Sequence, residues 1–165
     1  MSRPTPIKPG PDQESVWDYP RPPRLETSTA SIQVVLGGAQ IASTTRSWRV
    51  LETSHPPTYY LPREAFVDFA LREVEGSSFC EWKGMASYFD VHGGGQVASR
   101  SAWTYLAPTG RFADLAGTIA LMPAAMDRCV VDGEVVVPQE GGFYGGWITS
   151  KVVGPFKGSK NSWGW

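Results

Sequence analysis

Turn-forming glycines divide this sequence into short segments in which apolar and polar residues alternate. The clearest example is Asp132-Gly133, a two-residue hairpin signal between two β-branched runs. Gly37-Gly38 and Gly93–Gly95 separate further pairs of strand-like segments in the same way. Glycine and proline together make up about one residue in five, and both destabilise helix interiors. The sequence therefore predicts an all-β (mainly β) domain of about eight to ten antiparallel strands with one or two short helices.

Two segments carry more specific predictions of secondary structure. Ser78–Val91 alternates throughout and is predicted to form one long strand, with Glu81 and Lys83 on its polar face. Pro62–Phe66 is typical of the first turn of a helix, since proline suits the opening position. The apolar spacing that follows predicts that this helix continues to Val74.

The two ends of the chain differ from its middle. Residues 1–12 are rich in proline and lack apolar periodicity, which predicts a mobile arm in front of a single domain at residues 13–165. Residues 141–165 contain seven glycines and six aromatic residues, more aromatic side chains than a disordered tail usually carries. We expect this C-terminal segment to lie ordered across the domain with its aromatic rings inserted.

Charge and cysteine content exclude several classes of protein. Fifteen basic and sixteen acidic residues give a net charge of −1, so no strong field favours a nucleic-acid or membrane partner. The sequence has no signal-peptide pattern and no long apolar run, which predicts a cytoplasmic protein. Cys80 and Cys129 are too few for a disulfide framework. They indicate two reduced thiols, with a bridge between them or a redox role as the alternative.

A carboxylate and an ammonium two residues apart form the first candidate site. On a strand, Glu81 and Lys83 would point to the same face with Cα atoms about 6.5–7 Å apart. Such a pair can bind a zwitterion or an anion, or shift a pKa for acid–base chemistry. The alternative is an ordinary ion pair in solvent. Arg100 is predicted to lie on the face of its strand opposite Trp103, outside the pocket.

His55 is the second candidate. It follows a strand in a loop that Pro56 and Pro57 make stiff, which suits binding or general-base work; a structural hydrogen bond is the alternative. No G-x-S-x-G nucleophile elbow occurs, and no phosphate-binding motif accompanies the glycine-rich residues 141–146. The two histidines and two cysteines are not paired at metal-ligand spacing, so no metal and no cofactor are predicted.

Five motifs occur together in one known family. They are S-H-P-P-T-Y-Y-L-P at 54–62, C-E-W-K-G at 80–84, the following A-x-Y at 86–88, D-G-E at 132–134, and G-G-F-Y-G-G-W-I-T-S-K-V-V-G-P-F-K-G at 141–158. With these motifs the chain resembles the domain-of-unknown-function family 427 (DUF427), and the closing N-S-W-G-W is similar to the ending of its longer bacterial members. The resemblance implies a small antiparallel two-sheet fold described as tent-like. It carries a nucleotidyltransferase-like label but implies no catalytic residues.

Two function classes fit these observations. The first is a small-molecule-binding domain or enzyme with a pocket between the sheets. Its proposed lining is Tyr59, Tyr60, Trp82, Tyr144, Trp147 and Lys157, with His55, Glu81 and Lys83 as catalytic candidates. The second is a non-catalytic protein-interaction or homodimerising domain that uses the basic, aromatic segment 141–165. Nucleotidyl transfer fits less well, because Glu81 is the single acid in the eleven residues after the turn at 76–78.

Overall fold

Antiparallel strands dominate the fold. A computed structural model describes residues 3–80 and 82–165. Strands make up 45% and helical turns 9% of the structure, which confirms the predicted all-β class. In these residues the strands are β1 (Glu14–Ser15), β2 (Arg24–Ser28), β3 (Ile32–Leu36), β4 (Ala39–Thr44), β5 (Ser47–Leu51), β6 (Thr58–Tyr60), β7 (Leu71–Cys80), β8 (Gly84–Gly93), β9 (Gln96–Tyr105), β10 (Ala120–Leu121), β11 (Arg128–Val131), β12 (Glu134–Val135), β13 (Val137–Pro138), β14 (Trp147–Ile148) and β15 (Val152–Val153). The helical elements there are the 3-10 turns η1 (Val16–Asp18), η2 (Arg63–Ala65), η3 (Gly110–Leu115) and η4 (Pro123–Ala125). None of these turns is long and apolar enough to span a bilayer.

The longer strands of the described chain form three antiparallel sheets. Their strand orders are β10-β9-β8-β7, β12-β11-β3-β4 and β2-β5-β6. Two short ladders tie the C-terminal segment to the rest of the fold: β15 pairs in parallel with β1, and β14 pairs antiparallel with β13. Nine of the fifteen described strands are three residues or longer, and the other six have two residues each.

The three glycine-containing turns lie where the sequence predicts them. Gly37-Gly38 joins β3 to β4, Gly94-Gly95 joins β8 to β9, and Asp132-Gly133 joins β11 to β12. All six residues have φ between +48° and +82°. These backbone angles match the twist of the flanking strands in a tight hairpin, which is why the dipeptides were informative.

The prediction of a single strand over Ser78–Val91 is wrong. β7 ends at Cys80, β8 begins at Gly84, and these two residues pair directly across a hairpin. Gly84 has a φ of +90°, which glycine adopts without a steric penalty. Lys83 therefore lies in a hairpin turn instead of on a strand face. Glu81, its predicted neighbour, lies outside the described residues.

The predicted helix after Pro62 is limited to one 3-10 turn. η2 ends at Ala65, and Phe66 already has an extended backbone. Phe69 has a φ of +68° and is 87% exposed, and from Leu71 onward the chain pairs with β8. Continuation of the helix to Val74 is therefore wrong, because strand pairing satisfies the backbone hydrogen bonds of this segment.

Of the three apolar clusters in the described residues, two lie between the large sheets. The main core lies between the β3–β4 and β8–β9 hairpins and contains Ile32, Ile41 and Phe89. A second cluster lies between β5–β6 and β8–β9 and contains Tyr60 and Tyr105. The second cluster is richer in aromatic residues that carry a polar group, and it underlies the candidate site.

The two cysteines are free thiols that pack against different clusters. Cys129 is buried in the main core, whereas Cys80 is half-buried against the second cluster. Burial raises the pKa of Cys129 to about 12. A thiol in that setting stays protonated and behaves as a small apolar group.

The C-terminal segment contributes both buried and exposed rings. Trp147 is 1% exposed in the main core, and Trp165 packs against Trp17 with ring centroids 5.7 Å apart. Phe143 and Trp163 are 95% and 77% exposed. The prediction that the aromatic rings insert is wrong for these two, which both lie in turns outside the strands.

The start of the described chain runs beside the C-terminal segment. The backbone N–H of Ile7 donates to the carbonyl of Gly154 at 2.8 Å, and the guanidinium of Arg3 lies 4.8 Å from the centre of the Trp17 ring. The mobility of residues 1–12 and the single domain at 13–165 stay predictions.

Candidate functional site

A cavity of about 530 Å³ opens where β5, β6, β8 and β9 meet the C-terminal segment. It brings together aromatic, charged and amide side chains that are far apart in the sequence. The described residues that line it are Val50, Glu52, His55, Pro56, Thr58, Tyr60, Lys83, Tyr88, Arg100, Trp103, Tyr105, Met122, Gln139, Gly142, Phe143, Tyr144, Gly145 and Lys157.

Aromatic side chains from paired strands form one wall of the cavity. Tyr88 on β8 pairs with Trp103 on β9, and Ala86 pairs with Tyr105. Residues paired in this way point to the same face of a sheet, and the small Ala86 leaves room beside the Tyr105 ring. The indole N–H of Trp103 donates to the hydroxyl of Tyr60 at 3.4 Å. Burial raises the pKa of Tyr60 and of Tyr105, so both hydroxyls remain protonated.

Lys83 places a positive charge against this wall. Its ammonium lies 5.6 Å from the ring centre of Tyr105 and 5.7 Å from that of Phe112, both within cation–π range. The residue is only 9% exposed, and no salt bridge joins it to a described carboxylate. Burial raises the pKa of the adjacent Cys80 thiol, but the Lys83 ammonium and backbone N–H groups of the turn lower it by more.

Two further cations and one carboxylate complete the charged lining. The guanidinium of Arg100 lies 4.6 Å from the ring centre of Tyr88, and Lys157 reaches the cavity from the C-terminal segment. Glu52 lies 3.3 Å from Arg21, which does not line the cavity, so its charge already has a partner. Positive charge therefore exceeds negative charge in the described lining.

Gln139 orients the ring of His55. The backbone N–H of Gly146 donates to Oε1 of Gln139 at 3.1 Å, which turns the amide nitrogen the other way. That nitrogen donates to the Lys157 carbonyl at 2.7 Å and to Nδ1 of His55 at 3.1 Å. Because Nδ1 accepts, the neutral ring carries its proton on Nε2, which lies 3.7 Å from Glu52. In this arrangement His55 offers a proton instead of a lone pair.

The environment of His55 predicts a specific dependence of stability on pH. Burial lowers the pKa of His55 to about 4; Glu52 opposes this shift, and the nearby cations Lys157, Arg21 and Lys83 add to it. The unfolded chain, with an ordinary histidine pKa near 6.5, therefore binds more protons between about pH 4 and 6.5. The contribution of His55 to the free energy of unfolding should be constant above about pH 6.5. It should fall by up to about 3 kcal/mol as the pH drops through this window.

Urea unfolding of the wild type and of His55→Gln at several pH values measures this effect. Glutamine does not titrate, so the difference in unfolding free energy between the two proteins should shrink as the pH falls from 7 to 4.5. A difference that does not change with pH would show that His55 is not held neutral by the fold.

Five of the predicted site residues line the cavity: His55, Tyr60, Lys83, Tyr144 and Lys157. Tyr59 and Trp147 belong to the main core, where their ring centres are 4.9 Å apart. Tyr59 and Tyr60 separate in this way because neighbouring residues of a strand point to opposite faces. Trp82 packs against the second cluster without lining the cavity. Roles of these residues in binding or catalysis stay predictions.

Several residues of the lining are not predicted from the sequence. The prediction that Arg100 lies on the strand face opposite Trp103 is wrong. A bulge shifts the β8–β9 register between Phe89 and Val91, and Arg100 has a φ of +49°, so Arg100 and Trp103 reach the same cavity. Gln139 was missed because it meets His55 across 84 residues of chain, and no local pattern indicates such a contact.

Candidate metal ligands are sparse among the described residues. In residues 3–80 and 82–165, no three histidine, cysteine, aspartate or glutamate side chains come together as a metal site. Within the lining, Glu52 is the described carboxylate, and it is paired with Arg21. Divalent metals in nucleotidyl transfer need two or three carboxylates placed together.

The sheets and the cavity define a small all-β domain with an aromatic, positively charged pocket. Residues 24–132 match the family described as a domain of unknown function (DUF427). Because the match covers more than half of the chain, the protein belongs to this family, which confirms the resemblance seen in the motifs. No curated protein matches the chain. The matched residues include the strands of the aromatic wall but end before Gln139, Tyr144 and Lys157.

Proposed function

We propose that this domain binds a small organic anion in the cavity lined by Lys83, Arg100 and Lys157. Three cationic side chains line the cavity, those of Lys83 and Arg100 lie against its aromatic rings, and Glu52 is paired with Arg21; this excess of positive charge carries the proposal. A buried cation without a counter-ion is costly. Lys83 is 9% exposed and forms no salt bridge with any carboxylate of residues 3–80 and 82–165, so a bound anion would balance its charge.

The rest of the lining suits the organic part of such a ligand. Small-molecule pockets combine apolar and aromatic walls with a few convergent polar groups. Here the rings of Tyr88 and Trp103 provide the wall, while the hydroxyl of Tyr60 and the Nε2–H of His55 provide hydrogen bonds. The proposal covers a binding protein and an enzyme equally, because binding of the anion comes first in both.

Isothermal titration calorimetry with two matched probes tests the proposal. 2-Naphthoate carries a carboxylate, and 2-naphthamide replaces it with a neutral group of the same shape. We expect 2-naphthoate to bind more tightly. Lys83→Met, which keeps most of the apolar stem, should weaken its binding by about tenfold or more. The binding of 2-naphthamide should change little.

Lys8→Met is the matched control, because Lys8 is exposed and lies outside the cavity. It should leave both affinities unchanged. Equal affinities for the two probes, or no binding of either, would contradict the proposed function. Melting curves of the two variants show whether a loss at Lys83 reflects the site or the fold.

A second candidate function is self-association through the C-terminal segment. The exposure of Phe143 and Trp163 favours it, since large apolar side chains on a surface often mark interaction sites. In that case sedimentation velocity should show a dimer whose population grows with protein concentration. Neither naphthyl probe should then bind.

A further inference from the structure

We propose that the ligand of this cavity is an aromatic anion and that Phe143 selects it by stacking on the outer face of its ring. This inference rests on the proposed function, because it concerns the same cavity. The proposed function specifies the charge of the ligand, and this inference specifies its shape. The ligand has a planar ring that lies between the wall containing Trp103 and the side chain of Phe143.

The first observation is the position of Phe143. It lines the cavity, yet it is 95% exposed. The fold therefore gains almost no burial energy from this ring. In contrast, the neighbouring Tyr144 is half-buried and meets the ring of His55 edge-on, with ring centres 5.2 Å apart. Two adjacent aromatic residues of the cavity lining thus differ in burial: Tyr144 is packed, whereas the ring of Phe143 is exposed.

The second observation is how closely the chain after Phe143 is held to the wall. A Cβ atom at Gly145 would lie 2.5 Å from the ring of Trp103, so the backbone here passes directly against the indole. The backbone N–H of Gly146 is bonded to Gln139. Gly142, on the other side, has open space around the position of a Cβ atom. Phe143 therefore lies two residues before the point where the backbone contacts Trp103, and its own ring is almost fully exposed.

These two observations define a slot with one aromatic side in place. Trp103 and Tyr88 are paired neighbours on the sheet and form the inner side. Phe143 can supply the outer side when a ring lies between them. Aromatic rings prefer offset-stacked or edge-to-face contacts that saturated rings cannot make, so this slot would discriminate between a planar and a puckered acid of equal charge.

Calorimetry with 2-naphthoate and decahydro-2-naphthoate separates planarity from charge, because both probes carry the same carboxylate on the same carbon skeleton. The wild type should prefer 2-naphthoate by at least about fivefold. Phe143→Leu keeps an apolar side chain but removes the aromatic face, and it should reduce this preference by at least about threefold. Its affinity for decahydro-2-naphthoate should hardly change.

Phe79→Leu is the control, since Phe79 is 73% exposed and does not line the cavity; it should keep the wild-type preference. The exposure of Phe143 means that the Leu variant should melt at the wild-type temperature, so folding does not obscure the result. Equal binding of the two acids by the wild type, or an unchanged preference in Phe143→Leu, would overturn this inference and leave the proposed function standing. If neither acid binds, both fail together.

Discussion

Replacing Gly94 with alanine is expected to lower the free energy of unfolding by about 3–5 kcal/mol, a large share of the 5–15 kcal/mol typical of a domain. Gly94 has a φ of +53°, and a Cβ atom there would overlap the carbonyl of Gly37. Two hairpin tips, those of β3–β4 and β8–β9, thus cross with their backbones in contact. Because the neighbour is backbone and not a flexible side chain, neither hairpin can relieve the overlap without moving its sheet. Urea unfolding followed by circular dichroism measures the loss.

Gly95→Ala is the matched control for this prediction. Gly95 also has a positive φ, of +81°, but nothing lies within 4 Å of the position of its Cβ atom. Only the conformational penalty remains there, about 1–2 kcal/mol. Similar losses in the two variants would mean that the contact between the hairpin tips does not stabilise the fold.

The fold could be predicted wherever turn chemistry is local. Asp132-Gly133 and Gly37-Gly38 set their own backbone angles, and both form hairpins. The hairpin between β7 and β8 was missed for a physical reason. Cys80 and Gly84 pair across it, four residues apart, and directly paired residues point to the same face. The apolar alternation therefore continues in phase from one strand to the next, and one long strand has the same pattern as two.

The candidate site could be predicted only in part, because it is formed by contacts between residues that are far apart in the sequence. The sequence singles out His55 by its proline-stiffened loop and Lys83 by its charge. Both residues line the cavity. Gln139, which orients His55, could not be found in this way. Neither could Arg100, because a bulge in β9 reverses the face that simple alternation assigns to it. Long-range pairing and register shifts are properties of the folded sheet, so they appear only with the structure.

The C-terminal segment forms part of the core. The family match covers most of the main core but not this segment. The matched residues end at Asp132, yet Trp147 fills the main core and Val152 the cluster around Val16. The same segment supplies Tyr144 and Lys157 to the cavity. Core packing and site formation are therefore linked, and a change in this segment must be tested for both.

Trp147→Ala is expected to lower the free energy of unfolding by about 3–5 kcal/mol. The ring is 1% exposed and packs against Tyr59, with centroids 4.9 Å apart. Removal of an indole from such a position leaves a cavity that the surrounding sheets cannot close. Trp163→Ala removes the same side chain from a site that is 77% exposed, and it should change stability by no more than about 0.5 kcal/mol. Thermal and urea unfolding of the two variants give the comparison.

A third variant decides between core packing and ligand contact for Trp147. The sequence predicts that Trp147 lines the binding pocket, whereas the structure places its ring in the main core. Trp147→Phe retains an aromatic ring and removes an indole N–H that has no described hydrogen-bond partner. This variant should therefore stay folded and bind 2-naphthoate with the affinity of the wild type. If it folds normally but loses the probe, Trp147 contacts the ligand, and the cavity around Lys83 is not the whole site.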